Sequence, residues 1–519
     1  PCDWKLHMRR LLGPWVTNPA ISGGIPAPLD AWTGNAPVFG IGTRALSKAK
    51  YSSSAGTLLR SSGATQAFSF GADGELDLVS IGVFLNAPGS NGKGSWTAVT
   101  DQVGGLTVGQ STDAYRPGFR TNLLGVPVLS FAPGEQANSV TAGTKSLSIT
   151  SGPTIGTSTN SVVYVVQGTR AYYSGGFIPT GFLNFSAGSA ALWDANFGVG
   201  STNPTSVSYW YGYGGNHTTV TQAPANMGLS CYAFRFNATD SAIYVDGRKE
   251  SFGAFAQNGT LTNLGWILDN ASYYSQGPEI IALIVAQGHS ESDVTANLAA
   301  LRAWASLAPQ PTTMFGVIGD SISSGYQTST SHDNTEMSWP WKMLDSIGRG
   351  SVKHVRAINR ARTGYTIANA ESIRPYALAP MLTRYPNAGT GAADFSKKVL
   401  TVCLGTNDIN NGRTGTQAIT DLTTFIGACK SDGWSKVIAC TQIPRQSFTG
   451  TQNTYLTALN AAITGGSVGA DGFIDFASLN WVPGGTDWAA NFQGDGTHPN
   501  STGTDMMAAL AMATLQSLI

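Results

Sequence analysis

The hydrophobic period changes once along this chain, and that change constrains the fold more than any single motif. From about Ala31 to Leu307 the apolar residues fall in short runs typical of strands. Ser161–Gln167 (SVVYVVQ) and Ser206–Tyr213 (SVSYWYGY) are β-branched and aromatic. Cys231–Phe236 and Ala242–Asp246 alternate across a turn-prone Asn237–Asp240,. Ile280–Ala286 (IIALIVA) is apolar throughout and predicts a strand buried on both faces,. Ser290 then predicts the cap of a helix over Glu291–Ser306,. After Ala308–Thr313 (APQPTT), strands alternate with helices: Met314–Gly319, helix Trp339–Ile347, Val355–Ile358, Val399–Leu404, helix Gln417–Lys430, Val437–Gln442, helix Tyr455–Ile463, Gly472–Phe476, helix Ser501–Leu518. That alternation predicts βαβ units around a parallel sheet. The expected organisation is an arm or linker at 1–30, a β-sandwich of the jelly-roll kind at 31–307, a linker at 308–313 and an α/β domain at 314–519.

Composition narrows the partners. Thirty basic residues balance 30 acidic ones, so no long-range field draws in nucleic acid. No apolar run approaches the ~18 residues that span a bilayer, and Pro1–Thr17 does not read as a secretory leader. Low charge with 63 glycines suits short strands and tight turns, as in secreted β-proteins and virion fibre proteins, so an extracellular or virion-associated location is expected. The five cysteines are scattered with no metal spacing,; Cys403 and Cys440 read as buried free thiols. No P-loop, GxGxxG or His/Asp cluster implies a cofactor or a metal.

In a parallel sheet, reactive groups gather beyond the carboxyl ends of the strands. The first strand ends in Gly319-Asp320-Ser321, the second in Asn359 with Gly364 beyond it, and the third in Gly405-Thr406-Asn407-Asp408. The loop after the last strand carries Asp495-Gly496-Thr497-His498. Singly, each is an ordinary turn; together they supply the parts of acyl transfer. A serine hydroxyl needs a base, histidine has the pKa for that, and a carboxylate three residues earlier can fix its tautomer. The N–H groups of Ser321 and Gly364 and the Asn407 amide form a candidate oxyanion hole. Asp320 and Asp408 read as loop braces, and Ser323–Met337 as a polar surface loop. His7, His217, His289, His332 and His354 have no partner pattern and read as surface or packing residues.

The blocks GDS, Gly364, GTND and DGTH resemble, in order and spacing, those of the SGNH (GDSL) hydrolase family over about Met314–Ile519. That resemblance implies a flavodoxin-like α/β/α fold, Ser321 as nucleophile, His498 as base, Asp495 as its orienting acid, and Gly364 and Asn407 in the oxyanion hole. Ile322 stands where the family often has leucine, and INRARTGYT is a looser match around Gly364.

The stretch TRALSKAKYSSSAGTLLRSSGATQAFSFGADGELD, followed by SWTAVTDQVGG, resembles the N-terminal part of arabinofuranosidase B catalytic domains. CYAFRFNATDSAIYVDGRKE and EIIALIVAQGHSESDVTANLAALRAWASL resemble the closing strands and end helix of concanavalin A-like sandwiches. A carbohydrate-associated jelly roll is the implied fold. Tyr209, Trp210, Tyr211 and Tyr213 are candidates for stacking on sugars, with packing as the rival role. Glycosidase chemistry would need two facing carboxylates, and no local motif selects a pair from Glu75, Asp77, Asp246 and Glu279. The combined expectation is a carbohydrate-directed serine esterase acting on acetyl or other short acyl groups, its partner an acylated carbohydrate or other small ester. The alternative is a structural or glycan-binding surface or virion tail protein with little turnover, assembled as an oligomer or within a virion.

Overall fold

A computed structural model describes residues 27–305 and 312–519, apart from segments within them, the longest being 132–145, 196–208, 219–228, 266–277, 348–354 and 383–394. Most of the arm at 1–30, most of the linker at 308–313, and Cys2, His7, Tyr213, Asp246 and His354 lie outside the described residues.

The apolar run around Ile280 forms strand Pro278–Gln287, which pairs antiparallel with Ser161–Thr169 on one side and Phe39–Gly42 on the other. Ser161–Thr169 pairs in turn with Leu229–Arg235. Both faces of this layer are covered, so its strands carry no polar stripe. Val163, Val165, Leu283 and Val285 join one apolar cluster with Leu58, Trp96, Val108 and Leu261 of a second layer. Val162, Tyr164, Ile284 and Ala286 face the other way, among Val294, Leu298 and Leu301 of helix Glu291–Trp304, whose Ser290 and Asp293 form a capping box,. Strands Pro127–Ser130, Gly118–Thr121 and Gly94–Thr100 carry the ladder round into the second layer. The N-terminal region is therefore an antiparallel sandwich.

One apolar stretch in it is not a strand. Leu78–Leu85 is a helix, started by Asp77, whose carboxylate accepts from the N–H groups of Val79 and Ser80,. Four of its eight residues are buried and two valines are exposed, so the run carried no clear period of its own,.

The C-terminal region holds a five-stranded parallel sheet in the order Val355–Asn359, Thr313–Gly319, Lys397–Cys403, Lys436–Cys440, Gly472–Ile474. In chain order this is 2-1-3-4-5, the flavodoxin-like arrangement, with its switch point between the first and third strands. Phe315, Val317, Cys403 and Ile438 face Trp339, Met343, Met507 and Ala511. Met314, Ile318, Leu400 and Val437 face Leu422, Phe425 and Ile426. Helices thus cover both faces, giving three α/β/α layers. Among the described residues the four cysteines are buried and form no disulfide.

Beside an apolar cluster that spans both regions, polar and sheet contacts join them. Arg120 of the sandwich pairs with buried Glu279 at 2.9 Å and lies over the Trp341 ring, 6.0 Å from its centroid. Strand Tyr172–Tyr173 pairs with His332–Asn334, which pairs with Tyr326–Gln327. The expected surface loop Ser323–Met337 therefore contains two short strands. Its first residues are not at the surface: Ser323 is fully buried, its Oγ accepting from Trp339 Nε1 at 3.0 Å. Polarity suggested exposure there, but the hydroxyl is buried because a tryptophan N–H satisfies it.

Candidate active site

Strand Thr313–Gly319 delivers Ser321 to the switch point. Asp320 caps a one-turn helix, its Oδ1 accepting from Ile322 N at 2.9 Å, so Ser321 is the first helical residue. An N–H in that position has no partner within the helix. Ser321 Oγ lies 2.7 Å from His498 Nε2, and His498 Nδ1 is hydrogen-bonded to Asp495 Oδ2. The other carboxylate oxygen, Oδ1, accepts from Thr497 N at 3.0 Å and His498 N at 3.1 Å. With Nδ1–H donating to the carboxylate, Nε2 is left to accept the serine proton. The Tyr326 ring lies against the imidazole, with centroids 4.6 Å apart.

The neighbouring loops converge on the same point. Arg360 N donates to Val317 O and Arg362 N to Gly319 O, which draws the loop after the second strand alongside the serine turn. Gly364 follows with φ of +81°, a conformation that favours glycine,. Tyr365 O accepts from Asn407 Nδ2 at 3.0 Å. Asp408 takes Ile367 N at 3.1 and 3.2 Å on its two oxygens, so the third-strand loop is bound to the second. Ser321, Asp495 and His498 thus meet directly, Asn407 is bonded to the second-strand loop, and Gly364 stands in the turn that adjoins Asn407's partner. Asp320 and Asp408 both hold backbone, as braces do.

The charges are arranged for proton transfer. Burial pushes the His498 imidazole down, Asp495 pulls it back up, Arg445 pushes it down further, and the net position is below the ordinary 6.5. Burial works to raise the Asp495 carboxyl, but hydrogen bonds from His498 and Thr497 outweigh it and hold it below the usual range,. Burial lifts Asp320 to about 7 and Asp408 to about 6.

Several residues here were not legible in the sequence. Arg445, after the fourth strand, donates Nη1 to Asn407 Oδ1 at 3.2 Å. Gln493 accepts from Thr328 N at 2.7 Å and donates to Tyr326 O and Pro499 O, tying the Tyr326 strand to the histidine loop. The available signal for Arg445 was its place beyond a parallel strand; Gln493 and Tyr326 had none.

The N-terminal candidates are otherwise engaged. Glu75 pairs with Arg44, Asp77 caps its helix, and Glu279 is buried against Arg120. Tyr209–Gly212 is a strand between Ala191–Ala195 and His217–Thr218. His289 is a packing residue, bonded to Tyr164 Oη at 2.7 Å. Among the described residues, no group of His, Cys, Asp or Glu is placed to hold a metal ion, and no helix is long and apolar enough to cross a membrane.

No curated protein matches the chain at the significance required. Solved structures do. A GH54 α-L-arabinofuranosidase soaked with a cyclic sulfate inhibitor is 15% identical with a TM-score of 0.39, over 54% of this chain and 65% of that one. The chain thus spans just under two thirds of that enzyme's length. Esterase EstA from Pseudoalteromonas sp. is 18% identical, TM-score 0.30, over 40% of this chain and 97% of its own. The lipase/acylhydrolase from Enterococcus faecalis is 20% identical, TM-score 0.29, over 40% and 96%. Residues 317–506 match the model of the GDSL-like Lipase/Acylhydrolase family, and that match supports an acyl ester hydrolase in the C-terminal region of this chain.

Proposed function

We propose that this protein is a serine esterase that removes O-acetyl or other short acyl groups from a carbohydrate presented by its N-terminal sandwich. The observation that carries the chemistry is the continuous relay from Ser321 Oγ through His498 to Asp495. Ser321 attacks the ester carbonyl as His498 Nε2 takes its proton. The oxyanion is met by the N–H groups of Ser321 and Gly364 and by the Asn407 amide. His498 then protonates the departing sugar oxygen. It next activates water against the acyl-serine, which releases the carboxylic acid and restores Ser321. Asp495 stays ionised throughout.

The carbohydrate reading is supported by where the sandwich reaches. Its strand Tyr172–Tyr173 extends the small sheet whose far strand carries Tyr326, the residue against His498. A ligand held along Tyr172–Tyr173 would lie on the sheet that carries Tyr326. The test is acetate release from an O-acetylated polysaccharide, with binding followed on Ser321→Ala. The expected result is release by the wild type, and binding without release by the variant. Binding that vanishes on chemical deacetylation, with no release by the wild type, would mark a binding protein instead. Activity on aryl esters with no polysaccharide binding would remove the carbohydrate from the proposal.

A further inference from the structure

Arg445 follows strand Lys436–Cys440 in the turn Thr441–Thr449, which packs on the histidine loop through Gln446 N to Gly496 O at 2.9 Å. Its guanidinium lies over Phe448, 5.4 Å from the ring centroid. It points inward: Nη1 donates to Asn407 Oδ1 at 3.2 Å. The Asn407 amide is therefore held at both ends. Its oxygen accepts from a cation, and one N–H goes to Tyr365 O at 3.0 Å. An amide has two N–H donors, so one remains for a developing oxyanion. Turning the amide over would set NH₂ against guanidinium and oxygen against the Tyr365 carbonyl, and both contacts would repel.

The Asp320 and Asp495 carboxyls act electrostatically on the same cation, whose turn is bonded to the histidine loop through Gln446 N to Gly496 O. His498 has Asp495 on its own loop, Tyr326 on its ring face, Ser321 at Nε2 and Arg445 from the fourth-strand turn.

We propose that Arg445 is a positioning residue of this site: it fixes which end of the Asn407 amide faces the attacked carbonyl and sets a positive charge against the His498–Asp495 pair. The inference rests on the esterase reading for its kinetic consequence only. A nearby cation disfavours imidazolium, so Arg445 keeps the base free at lower pH.

The test uses the full chain with Arg445→Met, which removes charge and donor, and Arg445→Gln, which keeps a donor without charge. On p-nitrophenyl acetate, Arg445→Met should lower kcat about tenfold at near-constant KM, less than the ~100-fold or more of losing an oxyanion donor outright. Arg445→Gln should recover part of kcat. In both, the acid limb of kcat/KM and the NMR titration of the His498 ring should move to higher pH. Wild-type kcat with an unmoved titration in both variants overturns the proposal. Should Arg445→Met fail to fold, Arg445→Gln decides it by the same titration. If the wild type hydrolyses no ester, the esterase reading fails, and the ring titration, which needs no turnover, still decides whether Arg445 acts on His498.

Discussion

Asp495 uses its two oxygens differently: one shapes the loop through two backbone N–H groups, and the other holds the imidazole. Asp495→Asn should keep much of the loop but present the ring with the wrong partner. A fall in kcat of about 10³–10⁴ with little change in KM is expected on p-nitrophenyl acetate. Asp320 makes a prediction about stability. Its folded-state value of about 7 lies above the ordinary 3.8, with burial the main cause. Between those values the folded protein keeps a proton that the unfolded chain has lost, so stability falls as pH rises through that window. Asp320→Asn has no charge to bury. The melting temperature of the variant relative to the wild type should be higher at pH 8 than at pH 5; an equal difference at both would contradict the account. At this scale Ser321 and Asn407 were legible because each sits within a few residues of a strand end, and Asp495 and His498 because a carboxylate stands three residues before a histidine in one loop. Arg445 was not, because a single arginine in IPRQ says nothing of the Asn407 amide 38 positions away.

Gly405 links the third strand to the turn that presents Asn407. Its φ is +129°, and a Cβ there would lie 2.5 Å from Leu459 Cδ2. Gly405→Ala should cost on the order of 1–3 kcal/mol in a denaturant melt and lower ester turnover, since Asn407 would move with the turn. Unchanged stability would refute the role given to that backbone. The regular elements were legible from their periods: helix Trp339–Ile347 stands where its apolar spacing put it, and Pro278–Gln287 is the strand its apolar run implied. The short strands Tyr326–Gln327 and His332–Asn334 were not. They carry no apolar alternation and exist by pairing with each other and with Tyr172–Tyr173, far away in the chain.

Across the whole molecule, the junction of the two regions includes a buried charge pair of the sandwich capped by an aromatic ring of the α/β region. Arg120 sits between Glu279, about 1% exposed, and Trp341. Burial raises the Glu279 carboxyl and the arginine lowers it again, with burial the larger effect. Glu279→Gln would remove the carboxylate that pairs with the guanidinium at 2.9 Å, at a cost of about 3–5 kcal/mol, and thermal melting should record a clear fall. A wild-type melting temperature would show that the pair contributes nothing to stability. No local signal in the sequence joins these three residues, because they meet only when sandwich and α/β layers pack.

The central claim, hydrolysis at Ser321, is tested most directly by p-nitrophenyl acetate with the wild type and Ser321→Ala side by side. The relay from Ser321 to Asp495 predicts turnover by the wild type and a loss of about 10⁴-fold or more in the variant. A variant that hydrolyses the ester at the wild-type rate would contradict it.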